Sequence, residues 1–220
     1  MSEQPTIPAK EETVQVTAQE KPEKKLGVLG NQPQELTTLM EGNKRYLSGQ
    51  PKPKDFRQMR QQTADGQKPY AIVLTCSDSR LSPEIIFDAG IGEIFVIRNA
   101  GNLANDKTVL GSLEYAAEHL HVPLLLVLGH EKCGAINSAW NATGAESGNI
   151  GSLLGKFAGP VGKMKKRGKG PEDAVSENVR EQMKKVVQKS EICAKLVLEG
   201  KLRVVGAKYS LSGGHVDIVL

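Results

Sequence analysis

The 220-residue chain is poor in aromatic residues, in cysteine and in long apolar runs. Aromatics make up 4% of it, with a single Trp, which leaves few stacking platforms for single-stranded nucleic acid. No stretch approaches the roughly 18 consecutive apolar residues that a membrane-spanning helix needs. The N-terminus also lacks the basic and then apolar segments of a secretory signal. The expectation is a cytoplasmic protein with no membrane partner. An excess of one charge is missing too, because the formal net charge is only +4. The densest basic run, Lys163 to Lys169, lies in a Gly-rich stretch with no aromatic cluster; it reads as a solvated loop, and no nucleic-acid partner is expected. Three cysteines cannot all pair within one chain, so free thiols or metal ligands outrank a disulfide framework.

What is present is enough apolar residue, 39%, for one ordinary domain with a core. Residues 1–25 are rich in Glu, Lys, Gln, Thr and Pro and read as a disordered tail. The domain is expected over 33–220. Leu36, Leu39, Met40, Tyr46 and Leu47 recur at helical spacing up to Ser48-Gly49, which predicts an N-terminal helical arm, and a short helix is expected from Phe56 to about Ala64. Continuous apolar runs at Tyr70–Thr75, Ile94–Ile97 and Leu124–Leu128 read as strands buried on both faces, with a fourth strand at Leu202–Tyr209. Val109–His119 reads as a crossover helix and Ala174 to Glu199 as one long helical stretch; Gly148 to Gly170 reads as a loop or broken helix. Strands alternating with helices predict an α/β fold: a mostly parallel β-sheet core flanked by helices. Residues His215–Leu220, after the turn at Ser212-Gly213-Gly214, read as a possible antiparallel edge strand.

Sites in open α/β sheets form beyond the carboxyl ends of the strands. Two of those ends are chemically loaded. The first strand runs into Cys76-Ser77-Asp78-Ser79-Arg80, and the third into Gly129-His130-Glu131-Lys132-Cys133-Gly134. Cys76 from one loop, with His130 and Cys133 three residues apart in the other, make a set of two sulfurs and one nitrogen that suits Zn2+. Three protein ligands leave a fourth position open, as in catalytic rather than structural sites. Asp78 is a possible fourth ligand in a closed state; paired to Arg80 it would instead leave the site open. Cys193, in an apolar helical pattern with Ile192, Leu196 and Val197, reads as core.

Cys-Ser-Asp-Ser-Arg followed in order by Gly-His-x-x-Cys-Gly resembles the β-class carbonic anhydrases. The resemblance runs from about Leu36 to the C-terminus and includes Glu93–Asn102 and Gly111–Tyr115. It implies one zinc per chain on Cys76, His130 and Cys133, with Asp78 and Arg80 as the catalytic pair. It implies a carbonate dehydratase (a lyase) that converts carbon dioxide and water to bicarbonate and a proton. A divalent cation lowers the pKa of water from about 15.7 toward about 7, so hydroxide is available to attack carbon dioxide. Two thiolates place more negative charge on the metal than imidazoles would, which predicts activity displaced toward alkaline pH. The resemblance further implies that Gln67, nine residues before Cys76, donates to a substrate oxygen. Phe95 and Tyr115 match an apolar wall beside the zinc, and Gly134 can turn a backbone amide toward product. The family's closed type has a Trp and a Gly where this chain has Val73 and Thr75, so the open, plant-like type is expected. A homodimer or higher homo-oligomer, with the site near the subunit interface, is implied as well. Two alternatives use the same residues: hydrolysis of carbon disulfide or carbonyl sulfide, and a nonenzymatic structural zinc protein.

Overall fold

The computed structural model describes residues 21, 22, 26, 33–144 and 146–219. The stretch expected as a tail, 1–25, lies outside the described residues apart from Lys21 and Pro22. Helices α1 (Gln34–Leu47) and α2 (Phe56–Gln62) precede strand β1 (Ala71–Cys76). Then come α3 (Pro83–Ile86), β2 (Ile94–Asn99), α4 (Lys107–Glu114), β3 (Leu124–His130) and α5 (Gly134–Asn141). After α6 (Gly148–Gly155), α7 (Ala158–Lys166), α8 (Pro171–Lys189) and α9 (Glu191–Leu198), strands β4 (Arg203–Tyr209) and β5 (Val216–Val219) complete the order.

The five strands lie in the order β2-β1-β3-β4-β5. The first four are parallel and β5 is antiparallel to β4, as expected. Because β1 and β3 are central and every residue of both is buried, their sequences are apolar throughout rather than alternating. One face of the sheet packs Val73, Leu126, Leu128 and Val205 against α1, α3, α5 and α7; the other packs Ile72, Leu74, Leu125, Val127 and Val204 against α4, α8 and α9. Helix α8 lies so close to the sheet that a Cβ on Gly129 would sit 2.7 Å from Val179 and one on Gly206 2.6 Å from it.

Several expectations need correction. The stretch expected as one long helix begins earlier, at Pro171, whose fixed φ suits a first helical turn. It is also two helices, because Ser190 ends α8 and caps α9 through Cys193 N–H to its Oγ at 3.0 Å. The crossover helix widens into a π-helical turn over Tyr115–His119. The Gly-rich stretch 148–170 holds α6 and α7: burial of Leu154, Phe157, Val161 and Met164 outweighs the low helix propensity of glycine, about 1 kcal/mol per residue. The basic run expected as a loop therefore includes the last turn of α7, where Lys163, Lys165 and Lys166 complement the helix dipole and Lys165 lies 5.3 Å from the Trp140 ring centre. Short helices α3 and α5 had no apolar period long enough to be read.

Candidate metal centre

The parallel register sets the geometry. At the carboxyl end of the sheet Cys76 lies opposite Asn99, and His130 opposite Tyr209, so the ends of the four parallel strands lie side by side. Thr75 Oγ donates to Leu128 O at 3.0 Å, tying β1 to β3 one step before the chemistry begins. The β3 loop reverses sharply through Lys132, at φ +51°, and delivers Cys133 to the start of α5.

Cys76 Sγ, a His130 ring nitrogen and Cys133 Sγ lie within 4.8 Å of one another, all on buried residues. His130 Nδ1 lies 2.8 Å from Glu131 O and donates to it, which fixes the tautomer and leaves Nε2 as the lone-pair nitrogen. That Nε2 is fully buried with no hydrogen-bond partner. An acceptor so placed costs roughly 1–3 kcal/mol unless something fills its lone pair. The Cys133 thiol beside Cys76 lowers the latter to about 4, against burial, and the Gly101 N–H acts the same way. Cys133 is in turn pushed up, first by sharing its proton with Cys76 and then by burial. Two sulfurs that compete for one negative charge, next to an orphaned imidazole nitrogen, are what a soft divalent cation resolves. The donor set fits zinc.

Asp78 is held by Arg80. Arg80 Nε donates to Oδ1 at 2.9 Å, its Nη2 to Oδ2 at 2.7 Å and its backbone N–H to Oδ1 at 3.0 Å. This pairing keeps the carboxyl well below the usual carboxylate range. Asp78 Oδ2 is 3.9 Å from His130 Nε2, so the carboxylate borders the cluster without joining it. Gly134 is exposed immediately after buried Cys133, with open space where a Cβ would be. The structure thus gathers Cys76, Asp78, Arg80, His130, Cys133 and Gly134 at one place.

Gln67, Phe95 and Tyr115 are elsewhere in the same chain. Gln67 is exposed in the loop leading into β1, before the strand end remote from Cys76. Phe95 pairs with Ile72, four residues or about 13 Å short of the Asn99 end of β2, and packs on the opposite face of the sheet. Tyr115 is 48% exposed, its ring 6.4 Å from that of Phe95.

Sequence reasoning missed the residues that hold the loops. The guanidinium of Arg98, at the end of β2, donates to Cys76 O at 3.1 Å and Asp78 O at 2.8 Å, gripping the loop after β1. Asn99 does hold its own loop, through Leu103 N and O at 2.7 and 2.8 Å. Gly101 N–H donates to Cys76 Sγ at 3.3 Å, and Asn178 and Gln182 of α8 lie behind it. The one available signal was positional: a polar pair, Arg98-Asn99, at the end of an otherwise apolar strand.

The chain is 38% identical over 182 residues to carbonic anhydrase 2 of Mycobacterium tuberculosis, covering 80% of this chain and 87% of that one. It is 35% identical to the carbonic anhydrase of Mycolicibacterium smegmatis over 185 residues, 82% and 89% of the two chains. Its fold superposes on the Coccomyxa β-carbonic anhydrase solved with acetazolamide at a TM-score of 0.68, with 28% identity over 85% of this chain and 87% of that one. The sequence model of the family described as carbonic anhydrase matches residues 71–216. With the cysteine and histidine cluster at the carboxyl end of a parallel sheet, these matches make the chain a member of the β-class carbonic anhydrases.

Proposed function

We propose that Cys76, His130 and Cys133 hold the zinc of this carbonic anhydrase and that Asp78 and Arg80 direct the hydration of carbon dioxide to bicarbonate and a proton. The observation that carries the ligand assignment is the compact, buried group of two sulfurs and one unpartnered imidazole nitrogen. Zinc at these ligands supplies a hydroxide nucleophile near neutral pH by acidifying water. The rest belongs to the chain. Of the two acceptor positions on each Asp78 oxygen, Arg80 fills both on Oδ1 and one on Oδ2. The remaining one, on the oxygen nearest His130 Nε2, accepts the nucleophile's O–H and turns its lone pair toward carbon dioxide. Because the carboxylate is clamped, it stays an acceptor and does not become a fourth ligand, which supports the open type. The Gly134 N–H, at the positive end of α5, faces the charge that develops on the product oxygens.

The substrate-side residues support a homodimer. Gln67, Phe95 and Tyr115 cannot reach the cluster of their own chain, so any wall they form stands beside the cluster of a second copy. A cytoplasmic setting fits three unpaired buried cysteines; no described helix is long and apolar enough to cross a membrane.

Stopped-flow hydration at pH 7 and 8.5, with zinc counted per chain, tests the assignment. The expected result is activity at both pH values, reduced roughly 100-fold in Asp78→Ala with zinc retained. Hydration confined to the higher pH would show that Asp78 closes the site. One zinc per chain without hydration at either pH would remove the catalytic assignment of Asp78 and Arg80.

A further inference from the structure

We propose that Asn178 and Gln182 of α8 are positioning residues for the metal centre, acting through a buried chain of hydrogen bonds that holds Gly101 by its carbonyl while its N–H donates to Cys76. The inference rests on the reading of Cys76 as a zinc ligand. Neither amide is exposed at all, and each both accepts and donates a hydrogen bond. Gln182 Oε1 accepts from Ala104 N at 3.0 Å, and Gln182 Nε2 donates to Asn178 Oδ1 at 2.9 Å. Asn178 Nδ2 donates to Gly101 O at 3.0 Å, and Gly101 N–H donates to Cys76 Sγ at 3.3 Å. Positions 178 and 182 are one helical turn apart, so both amides leave α8 on one side and hold the 101–104 loop at two points.

The loop has little other freedom. Gly101 has φ +76°, and a Cβ there would sit 2.3 Å from the buried Phe157 ring, so no side chain fits. The loop's N–H is thereby aimed at one sulfur. Paired amides in a buried helix face give little net stability over apolar groups of the same shape. Their specific product is the direction of the Gly101 N–H, which withdraws charge from a thiolate and tunes what it gives a cation.

The test keeps amide-sized side chains and removes single donors. In Asn178→Asp the side chain can no longer donate to Gly101 O; in Gln182→Glu it can no longer donate to Asn178 while Ala104 N keeps its acceptor. Asn43→Asp is the control, since Asn43 is a buried amide (3% exposed) that donates to Ile86 O and Gly214 O and touches no cluster residue. Zinc affinity is read by chelator competition, and sulfur donation by the sulfur-to-cobalt charge-transfer band of the cobalt-substituted protein. The expected result is zinc binding about tenfold weaker in both α8 variants, with the cobalt band moved to longer wavelength, and neither change in the control. Loss of thermal stability matching the control, with affinity and band unmoved, would overturn the inference. Should Asn178→Asp not fold, Gln182→Glu and Gln182→Met decide on the same two readouts. Absence of any sulfur-to-cobalt band in the unmutated protein would remove the ligand reading and this inference with it, whereas a band there that the variants leave in place removes the inference alone.

Discussion

Arg80 is half exposed, yet its planar fork sets the orientation of Asp78. Removing the guanidinium leaves a carboxylate 3.9 Å from His130 Nε2 that keeps only the single bond from the residue-80 N–H to Oδ1 and loses the two-point clamp. Arg80→Ala is therefore expected to lower kcat/KM for carbon dioxide hydration by roughly 10- to 100-fold while the zinc content is unchanged. Arg80→Lys should recover little, since an ammonium cannot make the two-point contact. Stopped-flow rates with metal analysis check both variants; wild-type rates in Arg80→Ala would show that Asp78 needs no clamp. These residues were legible in the sequence because their types state their chemistry: two cysteines, a histidine and an Asp-x-Arg serve few other purposes together at strand ends. Asn178 and Gln182 were not legible. Amides in a helix rich in Glu, Lys and Gln look like solvent-facing residues, and only the docking of α8 on the sheet buries that side.

Between elements, Asp88 does for the N-terminal helices what Asp78 does for the centre. It follows α3 at φ +48° with its side chain 1% exposed, and accepts from Arg45 of α1 at 2.6 Å, from Lys52 N at 3.0 Å and from Lys54. Burial alone would raise its pKa; Arg45, Lys54 and the Lys52 N–H outweigh burial and bring it from 3.8 down to about 2. With the folded value below the unfolded one, the latch is at full strength above about pH 4 and is lost as pH falls toward about 2. The shift corresponds to on the order of 2 kcal/mol. Asp88→Asn keeps a residue that tolerates positive φ and removes the charge together with one of the two acceptor oxygens. Urea midpoints should place the variant below wild type by that margin at pH 6, with the gap closing below pH 4; a constant gap would assign the effect to packing. At this scale the sequence announced the strands and α1, whose apolar patterns span whole elements. It announced α5, α6 and α7 poorly, because glycine and short length hid a helical tendency that packing supplies.

For the whole molecule, a single chain builds the zinc cluster and leaves its expected substrate wall facing outward. Edge strand β2 carries Phe95, and the π-helical turn beside it carries Tyr115, which also stacks on His119 at 5.5 Å. In a two-fold dimer each contact is made twice, so one chain's wall would serve its partner's cluster and the reverse. That arrangement makes a prediction a monomer cannot meet. Cys76→Ser removes the cluster and leaves the wall, while Phe95→Ala removes the wall and leaves the cluster. Each variant alone should hydrate carbon dioxide poorly. When the two are unfolded together, mixed in equal amounts and refolded with zinc, half the dimers are hybrids, and each hybrid has one site with both an intact cluster and an intact wall. Random pairing then restores about a quarter of wild-type activity. The recovered activity should also track the fraction of hybrid dimers separated by a charge tag on one variant. If each chain instead completed its own site, mixing would yield only the average of the two impaired enzymes, and Gln67, Phe95 and Tyr115 would have to be released from the substrate role that their residue types suggest.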